Sequence, residues 1–172
     1  MMNLGSVAIH DFSTRIFDLW DQKWFLLTAG DFERNEFNTM TVSWGSFGIM
    51  WNRPFAQVVV RPTRYTYEFT EKFDTFTLCA FDHAYRRALQ LLGSKSGRHS
   101  NKIADAGLTP CASDLVAAPS FQEADLIFEC TKLYWQDMDH TQFLDPKLEH
   151  NYPSQDYHRI YFGEILTIRE KQ

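Results

Sequence analysis

The sequence predicts a mainly β fold, an antiparallel barrel carrying a few short helices. Three observations predict it: about six strand-like runs, only three or four short helical segments, and no regular strand–helix–strand alternation. Its 172 residues suit one domain spanning 1–172, because single domains usually run about 100 to 200 residues. No repeat, low-complexity tract or Pro/Gly-rich linker divides the chain.

Taken in order, Ser13–Trp20 is a short amphipathic stretch that Ser13 could cap. Lys23–Ala29 is a strand ending in the turn Gly30-Asp31. Phe37–Gly45 is the next strand, with Met40, Val42 and Trp44 alternating with Thr41, Ser43 and their polar neighbours, which gives one apolar and one polar face. Phe55–Arg61 and Thr75–Phe81 are strands rich in β-branched and aromatic residues, and Thr63–Lys72 between them has a capped helical register. Helices follow over His83–Leu92, stopping at Gly93, and over Ser100–Ala106, stopping at Gly107, with the polar loop Ser94–His99 between. Ala124–Tyr134 and Tyr157–Arg169 close the list of strands, separated by an irregular Asp- and His-bearing excursion from Gln136 to Gln155.

Composition narrows the function classes. Seventeen basic against twenty-two acidic residues leave a net charge of −5, and no Lys/Arg run exceeds two, so nucleic acid and anionic membranes are disfavoured partners. The apolar stretches, such as Trp24–Ala29, fall far short of the roughly 20 residues that span a bilayer, and the N-terminus lacks a secretion signal's layout. A cytoplasmic protein is expected. Cys79, Cys111 and Cys130 are odd in number and far apart, which excludes a disulfide framework or a Cys-x-x-Cys metal site and points to reduced thiols, Cys79 and Cys130 in the core. Aromatic residues make up a high 16%; most belong to the core, though a flat ligand also favours an aromatic-lined pocket.

Three segments carry candidate chemistry. Val60-Arg61-Pro62-Thr63-Arg64-Tyr65-Thr66 delivers two arginines and two threonines into a helix start, where unpaired N–H groups and guanidinium donors suit a phosphate. On this pattern alone a capped helix with solvated arginines is the commoner meaning. Asn38–Gly45, followed by Gly48, Trp51 and Pro54, offers small polar positions to the carbonyl and nitrogen edge of a planar ring; a solvated edge strand reads equally well. Gly93–Lys102 is a small-residue, basic loop, either a lid over a phosphate or a surface loop. It is no Walker A motif, since three residues rather than four separate Gly93 from Gly97 and Arg98 follows. Gly-x-Ser-x-Gly, His-Glu-x-x-His and Gly-x-Gly-x-x-Gly are all absent, and His140, His150 and His158 are too loosely spaced to imply a metal.

Taken together, Asn38–Gly45, Trp51-x-x-Pro54, Val60–Thr66, Ser96-Gly-Arg98 with Lys102, and Tyr157-His-Arg-Ile-Tyr-Phe-Gly-Glu-Ile165 resemble the flavin reductase-like, FMN-binding split-barrel family, which includes the flavoredoxins. The likeness runs from about Trp24 to Ile165, and five blocks in order are far more specific than any one. The resemblance implies a six-stranded Greek-key split barrel, a homodimer, and non-covalent FMN near the dimer interface. It implies that the strand from Asn38 through Thr39, Met40, Thr41 and Ser43 to Trp44 lines the isoalloxazine. Arg61, Arg64, Tyr65 and Thr66 would then surround the ribityl phosphate, with Arg98 and Lys102 as outer phosphate or nicotinamide contacts. Tyr157 and His158 would close the pocket, in one arrangement from the partner subunit. His99 stands where the family usually has an acidic residue after the Gly-Arg pair. The activity implied is hydride transfer from NADH or NADPH to FMN, with onward delivery to free flavin, an acceptor protein or an oxygenase. A flavoredoxin-like electron carrier and a non-catalytic FMN-binding module are the alternatives. Such chemistry needs no protein nucleophile, because the flavin carries it.

Overall fold

The computed structural model of the chain describes residues 4–172. Its strands are β1 (Leu4–Val7), β2 (Phe25–Asp31), β3 (Glu36–Val42), β4 (Gly45–Met50), β5 (Arg53–Val60), β6 (Thr75–Ala80), β7 (Pro110–Cys111), β8 (Ser120–Phe121), β9 (Leu126–Asp137) and β10 (Arg159–Lys171). The helices are α1 (Ile16–Asp18), α2 (Tyr65–Lys72), α3 (Arg86–Ser94) and α4 (Lys102–Asp105), with short 3-10 turns between them.

Eight strands form one antiparallel sheet in the order β3-β2-β6-β9-β10-β5-β4, and β1 pairs with the C-terminal half of β10 beyond the end of β5. No hydrogen-bonded ladder joins β3 to β4, so the sheet curls into a barrel that stays split there. The mainly β antiparallel expectation therefore holds, with eight strands in the sheet rather than six and a separate β7–β8 ribbon.

Strand periodicity sorts the core. Phe25, Leu27 and Ala29 of β2, Phe76, Leu78 and Ala80 of β6, and Phe128 and Cys130 of β9 face the barrel interior with Val58, Tyr161 and Ile165. The alternate residues Leu26, Cys79 and Ile127 pack outward against Leu89 and Leu92 of α3 and against Phe121. A sheet buried on both faces explains why β2 reads as a continuous apolar run instead of an alternation.

Two local readings change. Ser13 caps nothing: α1 begins at Ile16 behind Arg15, which makes no side-chain cap, and runs on into a π-type turn over Leu19–Lys23 because Leu19 and Trp20 must bury. Arg64, not Thr63, is the N-cap residue of α2, and the Thr63 hydroxyl instead donates to Asp156 Oδ2 at 3.1 Å. The extra strand β4 carries no clean alternation, and it pairs with β5 through the two-residue turn Trp51-Asn52. Both turn residues have positive φ (53° and 59°), the type I′ geometry that matches strand twist, set here with a tryptophan where glycine or asparagine is usual.

Candidate functional site

The split between β3 and β4 creates the site. β3 pairs with β2 on one side only, so its outer edge offers unpaired backbone donors and acceptors to whatever lies in the gap. Met40, Thr41, Val42, Ser43 and Trp44 run along this edge and wall a groove of about 210 Å³ closed by Val59, Arg61, Arg64 and His158. Six of the twelve sequence-predicted ring-edge and phosphate residues, Met40, Thr41, Ser43, Trp44, Arg61 and Arg64, thus meet in one place. Thr39 does not: it is fully buried, accepts from Thr28 Oγ1 and donates to the Leu27 carbonyl, both at 3.0 Å, and its side chain belongs to the β2–β3 ladder. Thr41 reaches the other way to donate to the Leu89 carbonyl at 2.5 Å, which ties β3 to α3.

His158 of the same chain, immediately before β10, lines the groove. Tyr152 Oη lies 2.8 Å from its Nδ1, and the Trp44 ring stands 5.3 Å away. Burial, reinforced by the Arg61 cation, pushes the imidazole down to about 4, so it is neutral at physiological pH. Tyr157 lies outside the groove, stacked on His140 and donating to Glu149. Arg61 is held by an ion pair to Asp156 at 2.9 Å and by the Asn151 carbonyl at 2.7 Å, with its guanidinium over the Tyr152 ring. The irregular excursion before β10 is therefore a strap that fixes Arg61 and His158. Its Asp156, Asn151 and Tyr152 were missed by sequence reasoning, and the acidic, aromatic composition of that segment was the only signal.

Next to the groove, and sharing Met40 and Arg64 with it, is a smaller cleft of about 60 Å³. Its walls are the start of α2 (Thr63–Thr66), Ser94–Ser96 after α3, and Lys102. Thr66 is buried and accepts from Asn38 Nδ2 at 2.8 Å, so Asn38 braces the helix start against β3. Arg64 donates to the Gly93 carbonyl, and Lys102, only 4% exposed, donates to the carbonyls of Leu92 (3.0 Å) and Lys95 (3.2 Å). Burial and then the Arg64 charge pull the Lys102 ammonium down to about 8, and burial followed by Arg61 lowers Arg64 as well. Among the described residues neither cation forms a salt bridge to a carboxylate. The buried Lys102 and the half-buried Arg64, with hydroxyls and a helix start around them, make a donor set whose chemistry suits an anion.

Arg98 stands apart from this cleft. It pairs with Glu68 on the outer side of α2, and its guanidinium lies 4.8 Å from the Tyr65 ring centre. Ser94, Lys95 and Ser96 line the cleft, within the Gly93–Lys102 segment that the sequence offered as either a lid over a phosphate or a surface loop.

The comparisons with known proteins agree with this geometry. The family described as "Flavin reductase like domain" matches residues 21–172. An uncharacterised protein of Pyrococcus abyssi is 27% identical over 167 residues, covering 89% of this chain and 94% of that protein. Among solved structures, an FMN-binding domain of a flavin reductases-like enzyme from Shewanella baltica superposes with a TM-score of 0.71 at 17% identity, over 99% of this chain and 78% of the other. The flavoredoxin of Desulfovibrio vulgaris gives 0.69 at 22% identity, over 93% and 74%. Both share the split-barrel fold seen here. With the family match covering all but the first 20 residues and the fold in agreement, the chain belongs to the family of flavin reductase-like domains.

Proposed function

We propose that this protein holds FMN non-covalently in the β3–β4 split and works as a flavin reductase that takes electrons from NADH or NADPH. The observation that carries the reading is the pair of cations, half-buried Arg64 and buried Lys102, whose partners among the described residues are carbonyl oxygens and not carboxylates. That donor set, with Thr66 and the start of α2, fits a phosphate dianion, and the adjoining groove fits a planar ring met by strand edge.

In this reading Arg64, Thr66 and Lys102 hold the ribityl phosphate, while the backbone of Met40–Trp44 meets the ring's polar edge. Trp44, nearly half exposed, and the neutral His158 flank the groove, and Arg61 contributes fixed positive charge where negative charge would develop on a reduced ring. FMN, when bound, supplies the hydride acceptor; the chain supplies position and electrostatics.

A homodimer fits the outer face of the sheet, where exposed Trp51 and Tyr134 cluster with half-buried Phe162, ring centroids 5.9 to 6.4 Å apart. The flavoredoxin likeness favours a second reading, an electron carrier that binds FMN but reacts poorly with nicotinamides and serves an acceptor protein. Anaerobic mixing of the FMN-loaded protein with NADH or NADPH decides between them. Rapid bleaching of the yellow absorbance supports the reductase; a spectrum that persists supports the carrier or a plain binding module. Failure to bind added FMN sinks all three.

A further inference from the structure

The two cations that line the ring groove, Arg61 and Arg64, are held in different ways. Arg64 donates to the Gly93 carbonyl, whereas Arg61 is caged by the strap before β10. Its Nη1 lies 2.9 Å from Asp156 Oδ1, its Nη2 donates to the Asn151 carbonyl at 2.7 Å, and its guanidinium sits 5.0 Å from the centre of the Tyr152 ring. Asp156 Oδ2 accepts from the Thr63 hydroxyl at 3.1 Å, so both carboxylate oxygens are engaged and the side chain, 14% exposed, is fixed. Among the described residues no carboxylate lines the groove itself, and Asp156 is the one acid paired with a groove cation. Burial works against its charge, but the hydrogen bonds from Arg61 and Thr63 and the Arg61 charge together hold the carboxyl below its usual range. It is therefore ionised at neutral pH.

We propose that Asp156 sets the reduction potential of the bound flavin: its carboxylate cancels the Arg61 charge at the ring end of the groove and so holds that potential down. The proposal rests on the FMN reading given above. A flavin that takes up electrons gains negative charge on its ring, and a bare cation beside the ring favours the reduced form by Coulomb attraction. A carboxylate in contact with that cation removes most of the preference. The two ends of the site thus divide the work. Arg64 and Lys102 border the phosphate cleft without a carboxylate, and a phosphate carries the same charge in both redox states, so they add affinity without choosing between them. Arg61 lines the ring groove and not the phosphate cleft, so its charge does choose, and it is the cation that is neutralised. The chain can hold its flavin tightly and still leave the reduced flavin a strong donor to the next acceptor.

The test measures the reduction potential of FMN bound to the full chain at pH 7, by anaerobic equilibration with a reference dye, alongside the affinity for oxidised FMN. In Asp156→Asn the amide oxygen can still accept from Arg61, so the cation stays in place and loses its counter-charge. The preference for reduced over oxidised FMN should rise about tenfold, a positive shift of about 30 mV for a two-electron couple. Arg61→Gln leaves the carboxylate alone and should move the potential the other way. The double variant removes both charges and should return close to wild type; should Asp156→Asn fail to fold, Arg61→Gln and the double variant together still decide. A double variant that keeps the Arg61→Gln shift, or an Asp156→Asn shift of the same sign as Arg61→Gln, overturns the proposal, because the carboxylate would then only orient the arginine. Potentials that coincide in all four proteins overturn it too and leave the FMN reading standing. A wild type that binds no FMN overturns both.

Discussion

Arg64 and Lys102 converge on the same helix end. The α3 helix finishes with unpaired carbonyls at Leu92 and Gly93, and Lys102 takes the first while Arg64 takes the second. Cations are favoured there by the helix dipole, which accounts for how a lysine comes to be 4% exposed without a carboxylate. Carbonyl dipoles nonetheless leave two full charges uncancelled, and both line the cleft at the start of α2, whose dipole also favours an anion.

Replacing Arg64 by Ala removes one charge-assisted hydrogen bond to a bound phosphate, worth about 1.5 to 3 kcal/mol, so FMN affinity is expected to fall about 10- to 150-fold. The Gly93 carbonyl can turn to water through the opened cleft, so the fold should survive. Fluorescence titration with FMN, alongside riboflavin as a phosphate-free control, checks it: riboflavin affinity should be unchanged, and an equal loss for both would remove Arg64 from the phosphate.

Lys102 gives a pH signature of two opposite slopes. Its folded-state value, about 8, lies below the ordinary lysine value of 10.5, so between these the unfolded chain binds more protons and stability rises with pH. Phosphate binding needs the charged amine, so FMN affinity should fall over the same range. Thermal melts and titrations from pH 7 to 10 measure both, and in Lys102→Met the lysine contribution to each slope should vanish. Parallel slopes, or a wild type and variant that behave alike, would show that this amine does not govern the site.

Much of this architecture is legible from the residues, and the exceptions have physical causes. The strand runs around β2, β5, β6, β9 and β10 were readable because each buries at least one face and carries β-branched or aromatic side chains. β4 was not, since its solvent-facing residues Ile49 and Met50 break the alternation and its turn uses Trp51 in the left-handed region. In the site, Met40–Trp44 and the Arg61–Thr66 turn were readable as segments, and the resemblance united them. Thr39 turns its side chain away from the groove, which the sequence does not show because a period-2 pattern tells which residues share a face but not which face meets a neighbouring helix or strand. Arg98 lies outside the cleft, where it pairs with a helix-surface carboxylate, Glu68. The Asp156–Arg61 pair joins positions 95 residues apart, and no local pattern reports such a contact.

His158 should make the protein acid-sensitive well above the carboxylate range. Its ordinary value is 6.5 and burial holds the folded one near 4, so as pH falls from 6.5 the unfolded state gains a proton that the folded state refuses. Melting temperature should drop progressively between pH 6.5 and 4. In His158→Gln that part of the slope should disappear; an acid slope identical to wild type would mean the imidazole is solvated and charged in the fold.

The three thiols should separate cleanly by reactivity. Cys79 and Cys130 are fully buried on opposite faces of the sheet, Cys79 beneath α3 and Cys130 inside the barrel. Burial pushes the Cys79 thiol up to about 12 and Cys130 well above its usual range, so neither forms thiolate at neutral pH. Cys111, half-buried on β7 with its Sγ 3.5 Å from Ser120 Oγ, is the accessible one. Titration of the native protein with a chromogenic disulfide at pH 8 should therefore release one equivalent, rising to three in denaturant, and Cys111→Ser should abolish the native reaction. Prompt release of two or more equivalents from the native protein would mean that the sheet opens on the timescale of the assay, since neither buried sulfur can be reached while β2, β6 and β9 stay paired.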